Sequence, residues 1–335
     1  MSFDTDFNSV INDIEKDASI SDTQKAKLFQ NISRLKNTKL NLMIVGGTGV
    51  GKSSTINALF GMEKAKVGVS SNPETMDIKS YELGNVILWD SPGLGDGKQA
   101  DERHTKAIIS KLTEKAEKDS KGELLIDMVL VILDGGSRDL GTSYELINNV
   151  IIPNLGQDKS RLLVAINKAD NAMSGRYWDF DESEPQPKLI EFLDEKVSST
   201  KARIKEATGV DVDVIYYSAG LSDGDIQEQP YNLSKLLAFI LRHTKSSKRV
   251  VIAGQLNQDT KMWEKSDNLK DYQKEVDDSI WNSLKEVVSE GMEFAKENIF
   301  KHIDSLRTTT ETIAKAGVAV GSAIIKGAKF IGKLF

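Results

Sequence analysis

The sequence predicts an α/β protein with a mostly parallel sheet covered by helices, and three observations carry that reading. Short apolar runs of strand length recur between stretches with helical periodicity, the alternation that crossover helices on a parallel sheet require. One of these runs ends in a glycine-rich loop that opens directly into a helix-like segment. Polar motifs follow other runs at their carboxyl ends, where open α/β sheets bind ligands.

Taken in order, residues 5–37 read as two amphipathic helices, with Phe7, Val10, Ile11 and Ile14 on one apolar face and Leu28, Ile32 and Leu35 on another. Ser21 or Asp22 suits the cap of the second. Leu40, Leu42, Met43, Ile44 and Val45 form a run too short for a helix and suited to a buried strand. Gly46-Gly47-Thr48-Gly49-Val50-Gly51-Lys52-Ser53 then fits G-x-x-x-x-G-K-[ST] and leads through Ser54 into a helix-like segment. Glycines at this spacing let backbone N–H groups surround a phosphate, and the next helix presents its positive end to the same anion. Lys52 can reach the terminal phosphates, and the Ser53 hydroxyl can ligate Mg²⁺.

Gly61–Asp77 is polar and turn-rich; Ile78–Leu83 and Val86–Trp89 read as strands joined at Gly84-Asn85. The second strand enters Asp90-Ser91-Pro92-Gly93, a D-x-x-G match. There a carboxylate can face Mg²⁺ through water, and a glycine N–H can meet a γ-phosphate. A helix over Arg103–Lys118, a strand over Ile126–Leu133, a helix near Thr142–Ile152 and a strand over Arg161–Ile166 follow. That strand ends in Asn167-Lys168-Ala169-Asp170, an N-K-x-D match. The Asp170 carboxylate can accept both the ring N–H and the exocyclic amine of guanine, a pair adenine does not present. Lys168 can lie along the base, and Asn167 can tie this loop to the phosphate loop. Val212–Tyr217 supplies the last strand, and Ser218-Ala219 after it can lend a backbone N–H to the guanine oxygen.

Composition narrows the class. The chain has 335 residues, 39% apolar and 28% charged, with a net charge of −6, which argues against a general nucleic-acid coat. With no cysteine there are no disulfides, thiolate metal sites or cysteine nucleophiles, which fits a reducing cytoplasm. The N-terminus lacks the basic-then-apolar pattern of a secretory signal, and no apolar stretch has the length of a membrane span.

The phosphate loop, D-x-x-G, N-K-x-D and Ser-Ala in this order resemble GTPases of the translation-factor class, above all the Era/HSR1-like branch with its bacterial and prophage-encoded members. WDSPGLGDG at Trp89–Gly97, DMVLVILDGGSRDLGTS at Asp127–Ser143 and INKADNAMSGRYWD at Ile166–Asp179 carry the likeness, which covers about Lys39–Thr244. The resemblance implies a Ras-like P-loop G domain that binds GTP and GDP with Mg²⁺. It implies Ser53, Asp90 and a first-switch threonine as metal ligands, with Thr75 the candidate ahead of Ser70 and Ser71. Lys52, Thr75, Asp90 and Gly93 would then serve catalysis. Where Ras-like enzymes place a water-orienting glutamine, this chain has Leu94, which cannot polarise water. Such members take help from a partner, a dimer or potassium; Gly49 stands where potassium-dependent members carry asparagine, which speaks against potassium. His104, Arg103 and Arg138 are further candidates for assistance, and slow intrinsic hydrolysis is expected.

Four segments are expected: helices over 1–38, a G domain over 39–245, a helical region over 246–312 and a tail over 313–335. Asn268–Phe300 reads as one long helix with Trp281, Leu284, Val287, Val288, Met292 and Phe294 on its apolar surface; it would pack with the N-terminal helices into a small helical region. In the tail, Lys315, Lys326, Lys329 and Lys333 fall on one helical face and Ile313, Val320, Ile324, Ile331 and Phe335 on the other. Residues 301–335 carry six Lys or Arg against two acidic residues. Such a tail suits either the inner face of a membrane or docking on protein, including a second copy. Two functions are therefore weighed: a solitary GTP-hydrolysing switch, and a membrane-associating GTPase that self-assembles in a GTP-dependent way, similar in layout to dynamin-like or interferon-inducible GTPases; a second copy across the G domain is a candidate partner.

Overall fold

The computed structural model describes residues 11–61, 66–69, 78–93, 98–116, 123–220, 222–223 and 226–316. The sheet has seven strands: β1 (Leu40–Gly46), β2 (Lys66–Val69), β3 (Lys79–Leu83), β4 (Val86–Asp90), β5 (Met128–Asp134), β6 (Leu162–Asn167) and β7 (Asp213–Tyr216). Their spatial order is β2-β3-β4-β1-β5-β6-β7. The five strands from β4 to β7 in that order are mutually parallel, and β3 and β2 add an antiparallel edge. β1 is buried along its whole length, as a strand covered on both faces must be.

Register brings the polar motifs to one rim. Ile44 pairs with Asp90, Gly46 with Ile132, Asp134 with Asn167 and Ile166 with Tyr216. Each motif therefore begins where its strand leaves the sheet.

Alternation along the strands splits the apolar side chains between two faces. Met43, Val45, Val129, Val131 and Leu133 join one cluster, with residues of α4 (Lys98–Thr113), α5 (141–154) and α6 (Pro187–Thr208). α5 contains a π segment at Leu146–Ile151 just before Pro153, which has no N–H to donate to a preceding turn. Leu42, Ile44, Leu130 and Ile132 join the other cluster. The same cluster holds residues of α3 (Lys52–Phe60), α7 (Leu233–Arg242) and the flanking helices: α1 (11–16), α2 (Asp22–Asn37), α8 (Tyr272–Val288) and α9 (Lys296–Ala316). The apolar residues of the flanks thus share one core with the sheet. Ser21 caps α2 through a capping box with Gln24, which satisfies otherwise orphaned N–H groups.

Two expectations need correction. Asn268–Phe300 is not one helix: α8 ends at Val288, and α9 begins at Lys296 after a short 3₁₀ turn, Glu293–Ala295. Gly291 sits at φ +74°, a left-handed conformation that stops a helix, and the buried Asn31 side chain donates to Val288 O (3.1 Å) and Glu290 O (2.9 Å). The turn-rich Gly61–Asp77 also contains strand β2, whose pairing to β3 rather than its own four residues specifies it.

Candidate functional site

The glycine-rich loop links β1 to α3. Lys52, the first residue of α3, donates from Nζ to Gly46 O (3.1 Å) and Gly47 O (3.0 Å), so its ammonium lies within the curve of the loop. Gly51 has φ +91°, and a Cβ there would lie 2.3 Å from Asn167 Nδ2. Only glycine meets both conditions. Ser53 and Ser54 are exposed in the first turn of α3.

Asn167 holds the site together. It is buried, its Nδ2 donates to Val50 O (2.9 Å), and its Oδ1 accepts from Ala219 N (3.0 Å). One amide therefore links the phosphate loop, the end of β6 and the turn after β7. A second bridge lies below it, where Thr55 Oγ1 and Tyr217 OH are 2.6 Å apart and buried; burial pushes the Tyr217 hydroxyl pKa up. Ser218 donates its hydroxyl to Asp170 Oδ1, placing these two predicted residues side by side. Lys168 takes a left-handed conformation at φ +60°, and its ammonium pairs with Asp134 Oδ2 at 2.7 Å.

At the other end, Gly93 packs against the phosphate loop. A Cβ on it would lie 2.2 Å from Thr48 Oγ1 and 2.6 Å from Thr48 N. The buried His104 brings Nδ1 within 3.1 Å of Gly93 O, so this side chain contacts the motif's backbone rather than solvent. Asp90 Oδ1 is buried with no hydrogen-bond partner among the described residues. Burial pushes the Asp90 carboxyl above the usual carboxylate range, and the Lys52 and Lys79 charges pull against that shift.

Thr75, its alternatives Ser70 and Ser71, and Leu94 lie outside the described residues, as do residues 317–335 of the tail. Arg138 is exposed on the loop after β5, and Arg103 lies on α4. Asp134, Tyr217 and Lys196 were not singled out by their sequence context. Lys196, from α6, donates to Gly135 O (2.6 Å) and Ser137 O (2.8 Å), which braces the loop directly after Asp134. Only the LDGG ending of β5 hints at that arrangement.

A phosphate-wrapping loop between a strand and a helix, at the carboxyl rim of a parallel sheet, defines a P-loop α/β nucleotide-binding domain. Residues 41–168 match the family described as 50S ribosome-binding GTPase, and that segment is a GTPase domain of this family. The chain is similar to interferon-gamma-inducible GTPase 10 of Mus musculus, 35% identical over 83 residues, or 23% of this chain and 20% of that protein. It is also similar to the probable GTP-binding protein EngB of Methanococcus aeolicus, 30% identical over 110 residues, or 31% of this chain and 47% of that protein. Among solved structures, the LeoA bacterial dynamin GTPase from ETEC aligns with 93% of this chain and 49% of its own at 14% identity and TM-score 0.40. The matched stretches span less than half of each of these three proteins. Among the described residues no helix is long and apolar enough to cross a membrane.

Proposed function

We propose that this protein binds GTP and GDP with Mg²⁺ and hydrolyses GTP to GDP and phosphate, acting as a nucleotide switch with slow intrinsic turnover. The observation that carries the reading is the Asn167 amide, which joins the phosphate loop to the Ser218-Ala219 turn and leaves Asp170 beside that turn. In this reading the loop amides of Gly46–Ser54 and Lys52 hold the phosphates, and Asn167, Lys168, Asp170, Ser218 and Ala219 form the guanine pocket.

The phosphate end fits a divalent cation. Asp90 presents a buried oxygen that has no partner among the described residues, and Ser53, next to Lys52, carries an exposed hydroxyl in the first turn of α3. Ser53 and Asp90, with Thr75 of the first switch, would hold Mg²⁺, which when bound neutralises charge on the β- and γ-phosphate oxygens. Gly93 N–H would sense the third phosphate. With Leu94 after the motif, activation of water falls to an added group, for which a second copy across the G domain is the proposed source.

Binding of fluorescent GTP, GDP and ATP to the full chain and to Asp170→Ala tests the reading. Tight binding of both guanine nucleotides, indifference to ATP and loss in the variant support it. Equal binding of ATP overturns the base-reading assignment. A second reading, membrane association with GTP-dependent self-assembly, rests on the cationic pattern of 313–335. Flotation with anionic vesicles of the full chain against a 1–312 truncation tests it, and equal behaviour removes it. Specific activity that stays flat with protein concentration removes the assembly arm and also the second copy as the source of water activation.

A further inference from the structure

A cavity of about 490 Å³ lies between α6, the loop after β5 and the 3₁₀ segment Ala169–Gly175 that follows the N-K-x-D strand. None of Asn167, Lys168 and Asp170 lines it, so it is separate from the proposed base pocket. Its volume is that of a small-molecule site.

Charge sets this cavity apart. Arg138, Arg176 and Arg203 stand exposed around it and Lys196 forms part of its wall, against one carboxylate, Glu195, in a chain of net charge −6. The Lys196 ammonium is turned onto the carbonyls of Gly135 and Ser137, which leaves the three guanidiniums as the cationic rim. Ser174 and Ser199 add hydroxyl donors. Guanidinium forks and hydroxyls match the oxygens of a phosphate dianion.

The walls are flat and held in place. Arg203 lies over the Tyr144 ring at 5.6 Å, and the Tyr144 hydroxyl is fixed 3.1 Å from Thr200 Oγ1; Phe192 and Met173 supply further apolar surface. The backbone beside the cavity is strained in a way a plain surface loop has no need of. Met173 (φ 53°), Ser174 (φ 61°), Gly175 (φ 72°) and Tyr177 (φ 66°) all adopt left-handed conformations, and Arg176, between them, is tied back by Nε to Met173 O at 3.1 Å. Non-glycine residues in this region cost on the order of 1–3 kcal/mol each and concentrate at ligand clamps.

We propose that this cavity is a second ligand site, for an organic phosphate of mononucleotide size, with its phosphate on Arg138, Arg176 and Arg203 and its planar body against Tyr144, Phe192 and Met173. Asp134, the partner of Lys168, ends β5 directly before this loop, so an occupant would also stiffen the support of the N-K-x-D strand end.

Calorimetric titration of the full chain, loaded with GDP and Mg²⁺, with AMP, adenosine and inorganic phosphate tests this. The expected result is saturable one-to-one binding of AMP, weaker binding of phosphate or adenosine alone, and a loss of roughly tenfold or more in Arg176→Ala/Arg203→Ala. AMP binding should not weaken when GDP is raised a further tenfold, which separates this cavity from the proposed nucleotide site; competition between AMP and GDP would place AMP in that site and overturn the proposal. Equal AMP affinity in wild type and the double arginine variant overturns the proposal, as does absence of binding up to about 10 mM. A monomer–dimer equilibrium shifted by the arginine variants, without AMP binding, also overturns it and makes the rim an interface between copies.

Discussion

Replacing Asn167 by alanine should be the most damaging single change at the site that leaves its charges untouched. The side chain is 2% exposed, so water does not reach the groups it leaves behind. Those groups are the Val50 carbonyl and the Ala219 N–H, bonded at 2.9 and 3.0 Å. An orphaned buried polar group costs about 1–3 kcal/mol, so the pair predicts a loss of about 2–6 kcal/mol. That is a large part of a typical stability of about 5–15 kcal/mol. Gly51→Ala supplies an internal control, because its Cβ would strike Asn167 Nδ2 at 2.3 Å and its φ of +91° is unfavourable for alanine. In the Asn167→Ala background the collision disappears while the backbone cost stays. The double variant should therefore be less destabilised than the sum of the singles by about 1 kcal/mol or more. Urea denaturation of the four proteins measures the cycle, and GDP binding measures its functional side. A single-variant loss below about 1 kcal/mol, or strict additivity, would refute the view that this amide clamps the loops.

Three further outcomes follow from local geometry. Gly291→Ala should cost about 1–2 kcal/mol through its left-handed φ alone, since its Cβ would meet nothing closer than Lys27 Cε at 3.5 Å; an unchanged urea midpoint would contradict this. Asp277, buried between α8 and α9, is pushed up to about 6 by burial against the opposing pull of Arg307. Because its folded pKa exceeds the unfolded one, its stabilising contribution is present below about pH 4 and lost as pH rises through about 6, on the order of 2–3 kcal/mol. Asp277→Asn should flatten the stability profile between those values, and parallel wild-type and variant profiles would refute the assignment. Lys196→Met should loosen the loop after β5 by removing its bonds to Gly135 O and Ser137 O, seen as faster amide exchange at 135–138.

The sheet was legible because its central strands are continuous apolar runs, buried on both faces, and β1 and β6 end in motifs whose residue types have few other uses. The strand ends of β1, β5 and β6 fell within two residues of their expected places. What escaped was specified by partners rather than by local sequence. β2 exists through β3, the break before α9 through Asn31, and the Asp134–Lys168 pair through the register of β5 and β6. Helix α4 starts at Lys98, five residues before its expected Arg103, because Lys98–Glu102 is polar and carries no apolar stripe to announce it. The amphipathic stripes of the flanking helices did not show that their apolar residues join one core with those of the sheet, since such a stripe does not name what covers it.

The two ends of the site differ in a way that separates base reading from phosphate counting. The proposed base end is cross-linked by buried bonds, Asn167 to both loops and Thr55 to Tyr217, so its residues are held in place by the fold itself. The proposed phosphate end holds Asp90, with a buried oxygen that has no partner among the described residues, and Gly93 wedged against Thr48 with His104 on its carbonyl. A change at the base end should therefore weaken GTP and GDP equally, because both carry the same guanine. Gly93→Ala should act otherwise: its Cβ, 2.6 Å from Thr48 N, forces apart the two backbones that would flank a third phosphate. GTP affinity should fall at least tenfold more than GDP affinity, about 1.4 kcal/mol of lost discrimination. Titration of both nucleotides against Asp170→Ala and Gly93→Ala reads the two ratios. An Asp170 variant that shifts the GTP-to-GDP ratio, or a Gly93 variant that leaves it intact, would show that the division between the two ends is wrong.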